Sequence, residues 1–399
     1  MGIRPFPSGG NGRGMKRPET RIIHTRGARL GSVTVNPPVE RASTVLFNSE
    51  KALYESKPGY GRMGLSVHRE LEAALTELEG GTHVRLASNG LQACVLAIAS
   101  CVEAGGHILF PDNAYGPTAR FCERRLKYMG VEATRYDPRI GAGIADMIRP
   151  ETQAIFIESP GSLTFEISDI PAITEVARAR GVTTIADNTW GAGYFLKPLE
   201  LGADIVVQAM TKYIVGHADG FGGAVMTSDA RLYNRIGMAS EDFGISLAPD
   251  DAYLALRGLR TLHTRLRAHE AGALELAAWL AGRPEVSEVL HPALPSSPDH
   301  ELWKRDFSGS SGLFGVVLNA VPEGGMDRFL GALHLFGMGF SWGGYESLLI
   351  PCDHQLTRSK DSWTASCAGP LLRIHVGLEA VSDLKAELDS AFAALKGSA

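Results

Sequence analysis

The chain is poor in the features that mark several protein classes. Its 399 residues hold five cysteines, Cys94, Cys101, Cys122, Cys352 and Cys367, an odd number with no CxxC pair. That usage argues against a disulfide scaffold and fits a reducing cytoplasm. No apolar run approaches the roughly 20 residues that a membrane span needs, so no membrane partner is expected. Arg4, Arg13, Lys16 and Arg17 are followed by no apolar segment, and no secretory signal is read there. A formal net charge of −5 gives no reason to expect nucleic acid. His263 and His269 lie six apart on an expected helix, hence on different faces, and no metal site is read. Gly141-Ala142-Gly143 and Gly191-Ala192-Gly193 lack the third glycine of a dinucleotide fingerprint, which weighs against a nicotinamide enzyme.

What is present is a large hydrophobic fraction, 44%, enough for two or three domains with a sizeable core. Residues 1–64 are rich in proline and read as an arm that lies on another surface, such as a neighbouring subunit. Residues 65–258 alternate strand and helix signals. Val84–Ala87, His107–Phe110, Ala154–Ile157, Val182–Ala186 and Ile205–Val207 are strand candidates. Val67–Glu79, Gly90–Val102, Pro117–Tyr128 and Pro171–Arg180 carry helical spacing. This predicts an α/β domain with a mostly parallel sheet covered by helices. Residues 259–399 read as a smaller α+β domain, with strands at Gly312–Leu318 and Leu371–Val376. One long helical stretch is expected from Ala252 toward Leu280.

Two apolar runs end in groups that belong together chemically. Val182–Ala186 ends at Asp187, and Ile205–Val207 leads to Thr211-Lys212. Ligands of α/β sheets gather outside the carboxyl ends of strands. An amine and an acid there suit pyridoxal phosphate: the amine forms a Schiff base and the acid keeps the pyridine nitrogen protonated. Ser88-Asn89-Gly90-Leu91 joins a strand to a helix and reads as a plain N-cap or as a phosphate cup. Tyr60-Gly61-Arg62 ends the arm as a surface turn or as a phosphate contact for a neighbour. Tyr115 could pack in the core or stack on a flat ring. Arg373, inside the apolar run 371–376, needs a partner, either a structural acid or a substrate carboxylate. The glycine-rich turn 341–347 could line a pocket.

Together these residues resemble the fold-type-I pyridoxal-phosphate enzymes of cysteine and methionine metabolism. The stretch Asp204–His217, with Lys212 in it, is similar to that family's lysine signature, and the similarity runs from about Thr25 to the last helix. Glu158-Ser159-Pro160-Gly161-Ser162, Trp303–Phe314 and Ser341–Leu348 resemble segments of its carbon–sulfur β-lyases. The resemblance implies α,β-elimination of L-cystathionine, or another S-substituted L-cysteine, to a thiol, pyruvate and ammonia. A γ-elimination or γ-replacement and a non-catalytic scaffold are the rival readings. It implies that Lys212 carries the cofactor and moves protons. Asp187 would hold the pyridine nitrogen and Tyr115 stack on the ring. Gly90, Leu91, Thr211 and the position of Ala209 would surround the phosphate. Tyr60 and Arg62 would reach the adjacent subunit's site, with Tyr60 also near substrate and catalysis. Arg373, with Ser341 and Trp342, would take the substrate. A homo-oligomer is implied, a dimer at least and a tetramer expected. Ala209, Met210, Ala218, Asn89 and Phe340 depart from the residues common in the family, and crowding of the cofactor wall and mouth is expected from them.

Overall fold

The computed structural model describes residues 17–24, 34–56, 58–358 and 369–395. Thr25 and Cys367 lie outside them, as do Arg4, Arg13 and Lys16. Seven strands build the first sheet: β1 (His83–Ala87), β2 (His107–Pro111), β3 (Glu132–Tyr136), β4 (Thr152–Glu158), β5 (Thr183–Asp187), β6 (Ile205–Gln208) and β7 (Gly223–Thr227). Their spatial order is β1-β7-β6-β5-β4-β2-β3. The pairs β2–β3, β2–β4, β4–β5 and β5–β6 are parallel, while β7 runs against both of its neighbours. The expected mostly parallel sheet is therefore present. The central strands are almost wholly buried because helices cover both faces.

A second, antiparallel sheet has the order β10-β11-β9-β8, from β8 (Val286–Leu290), β9 (Leu313–Leu318), β10 (Leu348–Pro351) and β11 (Leu371–His375). Helices Leu262–Ala281 and Val381–Leu395 bury Leu276, Leu280, Leu388 and Phe392 against it.

Four strands were not visible as periodic runs. β3 is half-exposed and carries Glu132 and Arg135, while β7 starts at Gly223 after a glycine-rich turn. β8 alternates weakly, and β10 ends in a proline. The expected stretch Ala252 to Leu280 is two helices, Pro249–Leu259 and Leu262–Ala281. At the break, the Arg260 guanidinium donates to the carbonyls of Ile22 and Ile23. The arm is tied to its own chain where the Arg41 guanidinium donates to Asp250 at 3.0 Å. Gly61 passes so close to Ala42 that a Cβ would lie 1.8 Å from its carbonyl oxygen. Among the described residues no helix is long and apolar enough to cross a membrane.

One buried acid ties helix Ser66–Glu79 to the crest of the sheet. Glu79 is fully buried and accepts from Asn188 Nδ2 at 3.1 Å and from Gln208 Nε2. Those partners flank Asp187 and Ala209. Burial pushes the Glu79 carboxyl up to about 7, against the opposing pull of Lys197. The folded pKa lies above the ordinary 4.5, so folding binds extra proton between those values. Its contribution to stability is complete below pH 4.5 and lost as pH rises through 7. Urea unfolding of wild type and Glu79→Gln should diverge over that window, the wild type losing on the order of 3 kcal/mol relative to the variant. A difference that stays flat with pH would contradict this.

Candidate active site

The first sheet puts three titratable groups at neighbouring strand ends. Asp187 closes β5, Glu158 closes β4 directly opposite it, and Lys212 follows β6 in a turn. Asp187 accepts from the Thr189 amide at 2.9 Å and from the Cys94 thiol at 3.5 Å. Burial raises its pKa, while the Thr189 and Cys94 donors and the charge of Lys212 hold it down. The Lys212 amine donates to Ser341 Oγ at 2.8 Å and lies 5.5 Å from the centre of the Trp342 ring. Burial and then the charge of Arg373 push it down to about 8, with Asp187 opposing.

A clamp below fixes the lysine turn. Arg265 is buried and donates to the carbonyls of Tyr213 at 2.7 Å and Gly258 at 2.7 Å. Gly216 is at φ 69°, and a Cβ there would lie 1.9 Å from the guanidinium. Only glycine meets both demands.

The second sheet supplies the opposite wall. Arg373 on β11 donates to the Ser341 carbonyl at 3.0 Å and has no ion pair among the described residues. The structural acid that would have been its alternative partner is thus missing among them. Ser341 therefore links Lys212 through its hydroxyl to Arg373 through its carbonyl. Its φ is 76°, a conformation costing a non-glycine residue on the order of 1–3 kcal/mol. Gly343, also at positive φ, lets this loop approach Lys212, because a Cβ would come within 2.9 Å of the lysine carbonyl carbon.

Helix Gly90–Ala99 begins beside β6. Asn89 caps it by accepting from the Gln92 amide at 2.8 Å, so the plain-cap reading holds for that side chain. The Gly90 and Leu91 amides have no partner among the described residues, as a phosphate cup requires. A Cβ on Gly90 would lie 2.3 Å from that of Ala209. Ala209 donates its own amide to Thr189 Oγ1 at 2.9 Å. Thr211 is less free than expected: its hydroxyl donates to the Gly222 carbonyl at 3.3 Å and accepts from the Gly222 amide at 3.1 Å. Tyr115 is 45% exposed, so it is not a core tyrosine. Tyr60 pairs with Thr44 and is 47% exposed, and Arg62 is exposed on a short turn. Neither makes a hydrogen bond to the other candidates within this chain.

Met210 corrects an expectation. It is wholly buried in the core with Leu247 and Leu256, with Gly222 against its methyl, so its bulk does not crowd the mouth. Glu158, Cys94, Thr189 and Arg265 were not singled out as site residues. Glu158 carried a readable signal, since β4, like β5, is an apolar run that ends in an acid.

A buried amine, a carboxylate on the next strand end, unpaired helix amides and an unpaired guanidinium form the donor set that pyridoxal phosphate and an amino-acid substrate need. Lys212, Asp187 and the Gly90 and Leu91 amides fit the group. Comparison with known proteins agrees. The model of the Cys/Met metabolism PLP-dependent enzymes matches residues 19–393. A cystathionine beta-lyase of Bordetella avium is 44% identical, covering 90% of this chain and 92% of its own length. That of Salmonella typhimurium is 41% identical over 95% of this chain and 98% of its own. The crystal structure of a cystathionine gamma-lyase from Lactobacillus plantarum, complexed with L-serine, superposes with a TM-score of 0.86 at 31% identity, over 96% of this chain and 100% of that one.

The geometry makes two predictions. Gly90→Ala should lower the unfolding free energy by about 1–3 kcal/mol, through overpacking against Ala209, and weaken cofactor uptake. Denaturant titration and fluorescence titration with pyridoxal phosphate read the two effects. In the cofactor-free protein, Lys212 should react with acetic anhydride with a midpoint at about 8, because burial and Arg373 disfavour its charged form. Peptide mapping of competitive labelling across pH reads this, and a midpoint near that of surface lysines would contradict it.

Proposed function

The chain belongs to the Cys/Met metabolism PLP-dependent enzymes, and from that premise we propose that it is a carbon–sulfur β-lyase acting on L-cystathionine. The reaction releases homocysteine, pyruvate and ammonia, a trans-sulfuration step toward methionine. The observation that carries the reading is the Lys212–Ser341–Arg373 chain of contacts, which sets a proton-transfer amine beside a carboxylate receptor. Pyridoxal phosphate, when bound, supplies the sink for the electrons left at the substrate Cα.

The protein's residues do the rest. Arg373 takes the substrate α-carboxylate, with Ser341 and Trp342 beside it. Lys212, held near neutrality, removes the Cα proton and returns one to the departing thiolate. Asp187 would hold the ring nitrogen, and Tyr115 would cover the ring face. The Gly90 and Leu91 amides take the phosphate, with Thr211 and the Ala209 backbone alongside. Tyr60 and Arg62, exposed and without a hydrogen bond to the other candidates among the described residues, act on a second subunit's site in a homodimer that pairs to a tetramer. A cytoplasmic location fits the cysteine usage. The arm 1–64, the large domain 65–258 and the small domain 259–399 are the functional divisions of this reading.

A γ-elimination is the second reading, favoured by the likeness to the gamma-lyase structure. Incubation with L-cystathionine separates the two. Pyruvate equimolar with homocysteine supports the β-lyase, while 2-oxobutyrate with cysteine overturns it. Lys212→Ala should lower turnover about 10²–10⁴-fold while the Arg373 side remains able to bind substrate.

A further inference from the structure

The mechanism leaves one buried acid at the centre of the site without a task. Glu158 stands opposite Asp187 at the end of the neighbouring strand. It is 9% exposed and has no ion pair among the described residues. Its Oε2 accepts from the Tyr115 amide at 2.7 Å. That amide begins helix Gly116–Arg120 and so fixes where the Tyr115 ring stands. The groups that face Glu158 are Asp187, Cys94, Tyr115 and Tyr136. Each is neutral or negative, so none favours a charge on it.

Two carboxylates on adjacent strands cannot both ionise cheaply in a buried place. The donors are divided unequally between them. Asp187 has the Thr189 amide, the Cys94 thiol and the nearby Lys212 charge. Glu158 has the Tyr115 amide and a share of the Ser162 amide, which also donates to the Asn113 carbonyl at 2.8 Å, and no positive charge. A protonated ring nitrogen against Asp187 widens that inequality. Burial and the charge of Asp187 hold the Glu158 proton on well above the usual carboxylate range.

We propose that Glu158 is a positioning residue, a permanently neutral carboxyl group that anchors Tyr115 from behind and leaves Asp187 as the single negative charge facing the cofactor ring. The inference rests on the assignment of Lys212, Asp187 and Tyr115 to the cofactor. Glu158 touches neither cofactor nor substrate and acts through Tyr115 and Asp187.

The test uses Glu158→Gln and Glu158→Ala in the full-length holoenzyme. Glutamine keeps an acceptor for the Tyr115 amide and is neutral at every pH. The pH titration midpoint of the visible absorption band of bound pyridoxal phosphate should therefore stay where it is in wild type, as should the circular dichroism of that band. Alanine strands the Tyr115 amide. It should weaken pyridoxal-phosphate affinity roughly 5- to 100-fold and change the visible dichroism. If Glu158 were ionised, glutamine would delete a negative charge near the cationic cofactor. The midpoint would then fall by about one unit, and that result overturns the proposal. Alanine binding cofactor as tightly as wild type, with the same dichroism, also overturns it. Should the alanine variant fail to fold, the midpoint in the glutamine variant still decides. A wild type with no visible band at all overturns the cofactor assignment, and this inference with it. A normal wild-type band with a shifted glutamine variant overturns this inference alone.

Discussion

The structure depends on keeping charges dry at the ends of three adjacent strands. Glu158, Asp187 and Lys212 lie at one crest, and each would be costly there if it were charged without partners, which is why burial and Asp187 keep the proton on Glu158. The solution is local and dense. Thr189 serves both sides, donating its amide to Asp187 and accepting the Ala209 amide on its hydroxyl oxygen. Behind them Glu79 gathers the side chains of Asn188 and Gln208, one residue beyond Asp187 and one before Ala209. The strand ends are thus fixed by hydrogen bonds on the side away from the ligand. Their front faces stay free for chemistry.

The same constraint explains why the second sheet must come so close. Among the described residues Lys212 has no acid within hydrogen-bond reach, and its amine is held by Ser341 instead. A hydroxyl can hold a neutral amine as well as an ammonium, whereas a carboxylate would favour the charged form. Holding the amine this way requires the loop from 341 to 344 to press against the turn from 211 to 213. Positive φ at Ser341 and Gly343 makes that approach possible. His375, next but one to Arg373 on β11, accepts from the Gly343 amide at 3.2 Å and braces the loop from beneath. The strain at Ser341 is compensated by two contacts, one to each charged residue that it joins.

Asp187 and Lys212 were legible because an apolar run that stops at a polar residue marks a strand end. Arg373 was legible because a guanidinium inside an apolar strand demands an explanation. Leu91 and Gly90 were legible as a helix start, but the residues alone left a plain cap at Asn89 and a phosphate cup of open amides as alternatives. Arg265 could not be found, because arginines on a long helix are common and only the tertiary path of the lysine turn makes this one buried. Met210 misled for the opposite reason. Its neighbours in sequence face the ligand, while the turn sends its side chain into the core. The strands β3 and β7 were hidden by their charged or glycine-rich contexts, which the sheet overrides through pairing on both sides or at an edge.

The geometry also bears on why β-elimination is the natural chemistry for such a crest. Lys212 is a single amine, tethered 2.8 Å from Ser341 and wedged beside Trp342. Loss of a β-thiolate asks it to serve two neighbouring atoms, Cα and the sulfur on Cβ, within one short swing. A γ-elimination asks for a further proton transfer at Cβ and a leaving group one bond farther away. Discrimination beyond Cβ rests on a different part of the surface. Phe340 is 81% exposed, and Tyr345 in the same loop is also exposed. In the proposed reading, the groups that take the substrate amino-acid end, Arg373, Ser341 and Lys212, are joined by contacts within one chain. Phe340 and Tyr345, exposed in the loop that also carries Ser341, are the side chains through which that reading would place recognition of the far end.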